Sequence, residues 1–179
     1  MINIILIINI LKLFVYEINY NYMDLSIDIS INNFKTEYES YNSYEDESVE
    51  KIAKKLNKYL NSTLKNKGEF IAKYSIKKGV DPYLATVVIL QETGCQWTCS
   101  KLVRKCNNVG GNKGKPSCNG GSYRKFNTIE DGIKFAINNL SKYYKKGFNT
   151  PEKIGPKYAS DKKWAKRVNN YIKKLKRNK

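Results

Sequence analysis

Histidine is absent from the 179 residues. That single gap removes Ser-His-Asp hydrolases, Cys-His proteases, the metal-binding H-E-x-x-H helix and two-Cys-two-His zinc fingers together. Any chemistry therefore falls to carboxylates, Tyr, Lys or Cys. Carboxylates are themselves scarce beyond Glu50, where only seven of the 16 acidic residues lie. No apolar run reaches the ~20 residues that cross a bilayer comfortably.

Positive charge is what the chain has in excess. Thirty-three Lys and Arg against 16 Asp and Glu give a formal net charge of +17, with 41% hydrophobic residues, which describes a globular but strongly basic protein. Residues 1–50 hold two basic residues, Lys12 and Lys35, and nine acidic ones, net −7, leaving +24 for residues 51–179. The second part therefore demands an anionic partner. Nucleic acid, an anionic membrane and an anionic cell wall all meet that demand.

The length predicts one domain with a tail. Residues 1–22 form a hydrophobic N-terminal segment, apolar from Met1 to Tyr16 apart from Asn3, Asn9 and Lys12. It reads as a signal or anchor, although it lacks a basic leader and a small-residue cleavage site; a start at Met23 and a packed element of the fold are the alternatives. Residues 23–47 read as an acidic polar linker, Ser/Tyr/Asn/Glu-rich and poor in aliphatic side chains from Asn32 onward, and residues 48–179 as the folded domain.

Helical punctuation runs through that domain. Val49, Ile52, Ala53, Leu56, Tyr59, Leu60 and Leu64 keep amphipathic spacing, and a second helix spans 68–78, closed by Gly79. Asp81-Pro82 reads as an N-cap with Pro at the first helical position, opening a helix that is apolar on every side and hence buried. Residues 94–122 hold six glycines, Pro116 and all four cysteines, a loop-rich lobe with room for a short hairpin. Thr128, Thr150 and Ser160 are expected to cap three further helices, the last placing Trp164, Val168, Tyr171, Ile172 and Leu175 inward. The expected fold class is mainly α, a helical core with a small Gly/Cys-rich irregular lobe after the central helix.

Six of the seven acids in the basic part have ordinary structural places. Asp81 is an N-cap, while Glu69, Glu130, Asp131, Glu152 and Asp161 fall in first helical turns, where a negative charge meets the positive end of the helix dipole. Glu92 has no such account. It ends the most apolar helix of the chain, where both the dipole and the expected burial oppose ionisation. The plain reading is a solvated glutamate at a helix end; the apolar context instead favours a carboxyl group with a raised pKa, expected to hold its proton near neutrality as a general acid must. Protonation of a glycosidic oxygen suits such a group in a domain rich in Tyr and Asn.

Around Glu92 the residues resemble a family. Glu92-Thr93-Gly94, followed by Trp97, Ser100 and Leu102 and then Asn107-Asn108-Val109-Gly110-Gly111, is similar to the bacterial autolysin-type N-acetylglucosaminidases, whose helix ends in Glu-Ser/Thr-Gly-Trp and is followed by Ser, Leu and an Asn-Asn-x-Phe-Gly turn. Tyr123-Arg124-Lys125-Phe126 resembles their Phe-Arg-x-Tyr segment. Tyr158-Ala159-Ser160-Asp161-Lys162-Lys163-Trp164 resembles their Tyr-Ala-Thr-Asp-Pro-x-Tyr segment. These blocks run in the family's order over residues 68–176. The resemblance implies a lysozyme-like (α+β) fold and cleavage of peptidoglycan glycan strands between N-acetylglucosamine and N-acetylmuramic acid, with Glu92 and Tyr158 catalytic. It also implies a substrate groove touched by Gln96, Trp97, Ser100, Asn107, Asn108, Gly110 and Tyr123. Read from the residues alone, Tyr158 is equally a core aromatic, and a packed Trp97 is the plainer reading. The sequence departs from the pattern in three places: Cys95-Gln96 precedes Trp97, the turn lacks its Phe, and no acid lies between Glu92 and Glu130. The missing second carboxylate points to substrate assistance by an acetamido carbonyl. Goose-type lysozymes and lytic transglycosylases, which rely chiefly on one glutamate, keep muramidase and transglycosylase activity in play.

Cys95, Cys99, Cys106 and Cys118 permit three pairings, which sequence does not separate. Their gaps do not form the paired knuckles of a four-thiolate zinc site, so two disulfides are expected, and with them an extracellular or wall location outside the reducing cytoplasm. No metal or cofactor is expected. The expected partner is peptidoglycan, with anionic wall polymers held by Lys and Arg, membrane contact only through the N-terminal segment, no nucleic acid, and a monomeric state. A basic, Tyr-rich nucleic-acid module and a non-catalytic wall-binding domain are the competing classes; neither gives Glu92 a task.

Overall fold

A computed structural model of the chain describes residues 47–177. The hydrophobic segment 1–22 and nearly all of the linker 23–47 lie outside the described residues. The described part is mainly α, as expected of a lysozyme-like fold: it holds seven α-helices and no strand among the described residues.

The first helix, α1 (Val49–Asn57), begins where Ser48 accepts the Lys51 N–H, and it buries Val49, Ile52, Ala53 and Leu56. The apolar spacing that promises a helix as far as Leu64 does not hold. Beyond Asn57 the chain turns, and a 3₁₀ turn (Ser62–Leu64) returns Leu60 and Leu64 to the core. The cause is tertiary: Asn61 donates its backbone N–H to the Cys95 carbonyl (2.9 Å) and its side-chain amide to the Gln96 carbonyl (2.8 Å). The first of these satisfies a backbone N–H that a continued helix would have paired internally, and the second anchors the turn to the lobe.

Helix α2 (Gly68–Lys77) starts against α1. A Cβ on Gly68 would lie 2.6 Å from the Ala53 carbonyl oxygen, so only glycine permits that approach. The central helix α3 (Pro82–Thr93) is capped by Asp81, whose carboxylate accepts the Tyr83 and Leu84 N–H groups. Every residue from Pro82 to Leu90 is buried, and Thr86 and Thr93 return their hydroxyls to the carbonyls four residues back. This helix packs against α1, α2, α5 and α7, and its large side chains each contribute about 1.5–3 kcal/mol of burial.

At Gly94 the backbone turns left-handed (φ 66°) and enters the lobe. A short helix, α4 (Lys101–Cys106), is capped by Ser100. The expected hairpin reduces to two isolated antiparallel bridges, Lys113 with Tyr123 and Ser117 with Arg124. Asn108, 1% exposed, organises the rest. Its amide donates to the Asn112 and Arg124 carbonyls (2.8 and 2.7 Å), and its oxygen accepts the Asn112 N–H (2.9 Å). The cysteines pair as Cys95–Cys99 and Cys106–Cys118.

Three helices complete the core: α5 (Ile129–Tyr144), α6 (Pro151–Tyr158) and α7 (Trp164–Arg177). Thr128 and Thr150 cap the first two as expected. Ser160 does not cap α7. Instead Asp161 accepts the Lys163 N–H on its carboxylate (2.7 Å) and the Trp164 N–H on its carbonyl (3.0 Å), so the acid stands ahead of α7 rather than in its first turn. Of the Asp161 carboxylate oxygens, one closes that turn and the other is taken by the Arg167 guanidinium. Trp164, Val168 and Leu175 are buried, while Tyr171 and Ile172 are half-buried.

Candidate active site

The C-terminal end of α3 delivers Glu92 to a surface depression rather than to the interior. Its side chain is exposed, not buried as its apolar helix suggests, because the helix emerges from the core just after Leu90. The walls still crowd it. Loss of water around the carboxyl raises its pKa above the ordinary 4.5, and a hydrogen bond from Tyr158 opposes that rise. The unfavourable end of the helix dipole acts in the same direction as the desolvation.

Tyr158 is the last residue of α6. Its hydroxyl points at Glu92 Oε1 across a long 3.5 Å. The ring is held between Tyr143 (6.1 Å, edge-on) and Trp164 (5.2 Å, tilted). Burial and the adjacent Glu92 charge raise the pKa of the phenol well above its usual range, so it remains a neutral donor.

Two cavities meet at this pair. One, of about 640 Å³, runs between the lobe and the α5/α6 wall and is lined by Val109, Gly110 and Asn112 on one side and by Asn139, Lys142, Tyr143, Lys146, Phe148 and Lys157 on the other. The second, of about 520 Å³, lies toward α7 and is lined by Gln96, Asp161, Trp164, Arg167 and Tyr171 among others. The residues common to both are Glu92 and Tyr158. The carboxyl therefore sits at the middle of a groove that continues on either side.

Of the residues implicated from sequence, Glu92, Tyr158, Gln96 and Gly110 come together in this groove. Gln96 is fixed there by the Tyr171 hydroxyl, which donates to its side-chain oxygen (2.5 Å). Asn107 and Asn108 lie behind the groove wall. Asn107 donates its amide to the Phe126 and Asn127 carbonyls, and Asn108 is occupied inside the lobe. Ser100 caps α4. Trp97, 78% exposed, and Tyr123 stand on the lobe surface and line neither cavity.

Sequence reasoning missed the α5/α6 wall. Asn139 and Lys142 lie on the polar stripe of α5 and Lys146 in the turn just after it, which is what any solvated helix face and its end present; no residue type there signals a groove. Asp161 was legible only as a helix-start acid. It is the other carboxylate lining the two cavities, and it is engaged by Arg167 and by the Lys163 N–H, which holds its pKa below the usual range.

A search of curated proteins found no match. A family model for glucosaminidase, described as mannosyl-glycoprotein endo-beta-N-acetylglucosaminidase, matches residues 68–177. The matched stretch contains Glu92, Tyr158 and both cavities, and it covers well over half of the sequence. A carboxyl with a raised pKa, set midway along a groove inside that stretch, is what a glycan-cleaving enzyme needs, and the chain belongs to the glucosaminidase family of glycosidases.

Proposed function

We propose that the protein cleaves peptidoglycan glycan strands at the bond joining N-acetylglucosamine to N-acetylmuramic acid, with Glu92 as the general acid. The observation that carries this reading is the position of Glu92 where the two cavities meet, with sugar-sized space on both sides of a proton donor. Its neighbour Tyr158 stays protonated and hydrogen-bonds the carboxylate that remains after proton transfer.

The chemistry needs a second group. Asp161 is held by Arg167 and by backbone, which leaves the substrate to supply it. Glu92 protonates the glycosidic oxygen; the acetamido carbonyl oxygen attacks the anomeric carbon from the other face, and the leaving sugar departs with the proton. Water then adds to the cyclic intermediate, giving its proton to the Glu92 carboxylate and reopening the ring. A single engaged glutamate also suits a lytic transglycosylase, in which a muramyl hydroxyl replaces water. Two disulfides favour work outside a reducing compartment, and the basic surface favours adhesion to anionic wall polymers.

Digestion of purified peptidoglycan with mass analysis of the fragments tests the assignment. The expected products carry N-acetylglucosamine at the new reducing end. Reducing-end N-acetylmuramic acid makes the enzyme a muramidase, and 1,6-anhydro ends make it a transglycosylase. Glu92→Gln is expected to lose about 10²–10⁴ of the rate while still sedimenting with walls. Lysis at the wild-type rate by that variant removes Glu92 from the mechanism.

A further inference from the structure

The two cavities flanking Glu92 differ in charge. On the α7 side the lining cation is Arg167, already bound to the Asp161 carboxylate. On the α5/α6 side Lys142, Lys146 and Lys157 line one concavity, with Glu92 as the carboxylate among the lining residues. None of the three lysines forms an ion pair among the described residues. Lys142 donates to Asn139 Oδ1 (3.3 Å), and Lys157 lies over the Phe148 ring (4.8 Å). They arrive from different places: Lys142 from α5, Lys146 from the turn just after it, Lys157 from α6.

Lysines scattered over a convex surface are solvated individually and mean little. Three on the walls of one cleft focus their potential on its interior, where a negative group gains from all of them at once. The same cavity offers Tyr143, Phe148 and Ala136 as apolar surface for a sugar ring. A neutral N-acetylglucosamine would use that surface but leave the three ammonium groups uncompensated.

We propose that this cavity is the subsite for the acid-bearing sugar of the strand, with Lys142, Lys146 and Lys157 receiving the carboxylates of a muramyl lactyl group and its stem peptide. The inference rests on the peptidoglycan reading of the groove. In a strand that alternates a neutral sugar with an acidic one, seating the acidic one beside Glu92 fixes the register, and with it the kind of linkage that meets the proton. These lysines are then specificity determinants of the groove.

The test reads binding without turnover. The full chain carrying Glu92→Gln is titrated calorimetrically, at low salt, with soluble glycan strands whose carboxylates are either free or amidated with carbodiimide. The free form is expected to bind at least about tenfold tighter, a ratio that 0.5 M NaCl shrinks by screening. Adding Lys142→Gln, Lys146→Gln and Lys157→Gln is expected to bring the ratio to within about twofold. The pair Lys142→Gln/Lys146→Gln, which leaves the Lys157 and Phe148 contact intact, should fall between. Equal affinity for both strand forms, or a ratio that survives the three substitutions, overturns the proposal. Lysine-dependent binding that amidation leaves unchanged and that is lost only when phosphate groups are stripped from the strand overturns it too, since the anion is then phosphate. Because the readout is affinity, it stands apart from the Glu92→Gln lysis test: loss of the general-acid assignment leaves the expected ratio unchanged, and loss of the ratio leaves the assignment unchanged.

Discussion

The helical core and the lobe hold opposite walls of the groove by different means. The core is built around α3, whose residues from Pro82 to Leu90 are all buried, and it uses no crosslink. The lobe of residues 94–127 buries few large side chains. Its shape comes from two disulfides and from the Asn108 amide, which ties together the Asn112 and Arg124 backbones. A segment with too little apolar surface to fold by burial can still be fixed by covalent and polar constraints. Glu92 stands at the junction, on the last turn before the chain changes from one regime to the other.

The core offers the severest challenge to this division of labour. Leu84→Ala, at a side chain 1% exposed, is expected to cost about 2–5 kcal/mol and to lower the whole unfolding transition, lobe included, in a thermal melt followed by circular dichroism. Removal of the Cys106–Cys118 bond by paired Ala substitution is expected to cost about 2–4 kcal/mol, but locally. Amide exchange should accelerate over residues 107–124 while the α3 amides keep their protection. Equal acceleration in α3 would show that the lobe and core unfold as one unit and that the two are not separately held.

The smallest effect concerns the junction itself. A carboxyl whose folded pKa is raised binds its proton more tightly in the native state. It therefore favours folding below the ordinary value of 4.5 and loses that contribution as pH rises through the folded pKa. Glu92→Gln, which cannot ionise, should melt slightly higher than wild type at pH 7, with the difference closing below pH 4.5. A gap that is constant across that range, or of opposite sign, contradicts the desolvation account.

Much of the helical core is legible in the sequence because caps and apolar periodicity act locally. Asp81-Pro82, Thr128 and Thr150 each open the helix their chemistry predicts. Glu92 is legible by elimination, as the one acid of the basic part without a capping or first-turn place. What escapes is set by distant contacts. The break after Asn57 depends on carbonyls at Cys95 and Gln96, some 35 residues away. Asn107 and Asn108 stand out as a motif, yet nothing in their spacing tells that their amides face the lobe. Lys142, Lys146 and Lys157 look like ordinary solvated charge until the fold bends them round one cavity.

At Gly132 a Cβ would stand 1.9 Å from the Asn107 carbonyl oxygen, so α5 and the lobe touch backbone to backbone beside the cavity that both of them line. Glycine at this one position sets how closely the two jaws approach, and any side chain there would have to push them apart. The width of the groove beside Glu92 is thus tied to the absence of one methyl group on the far side of its wall.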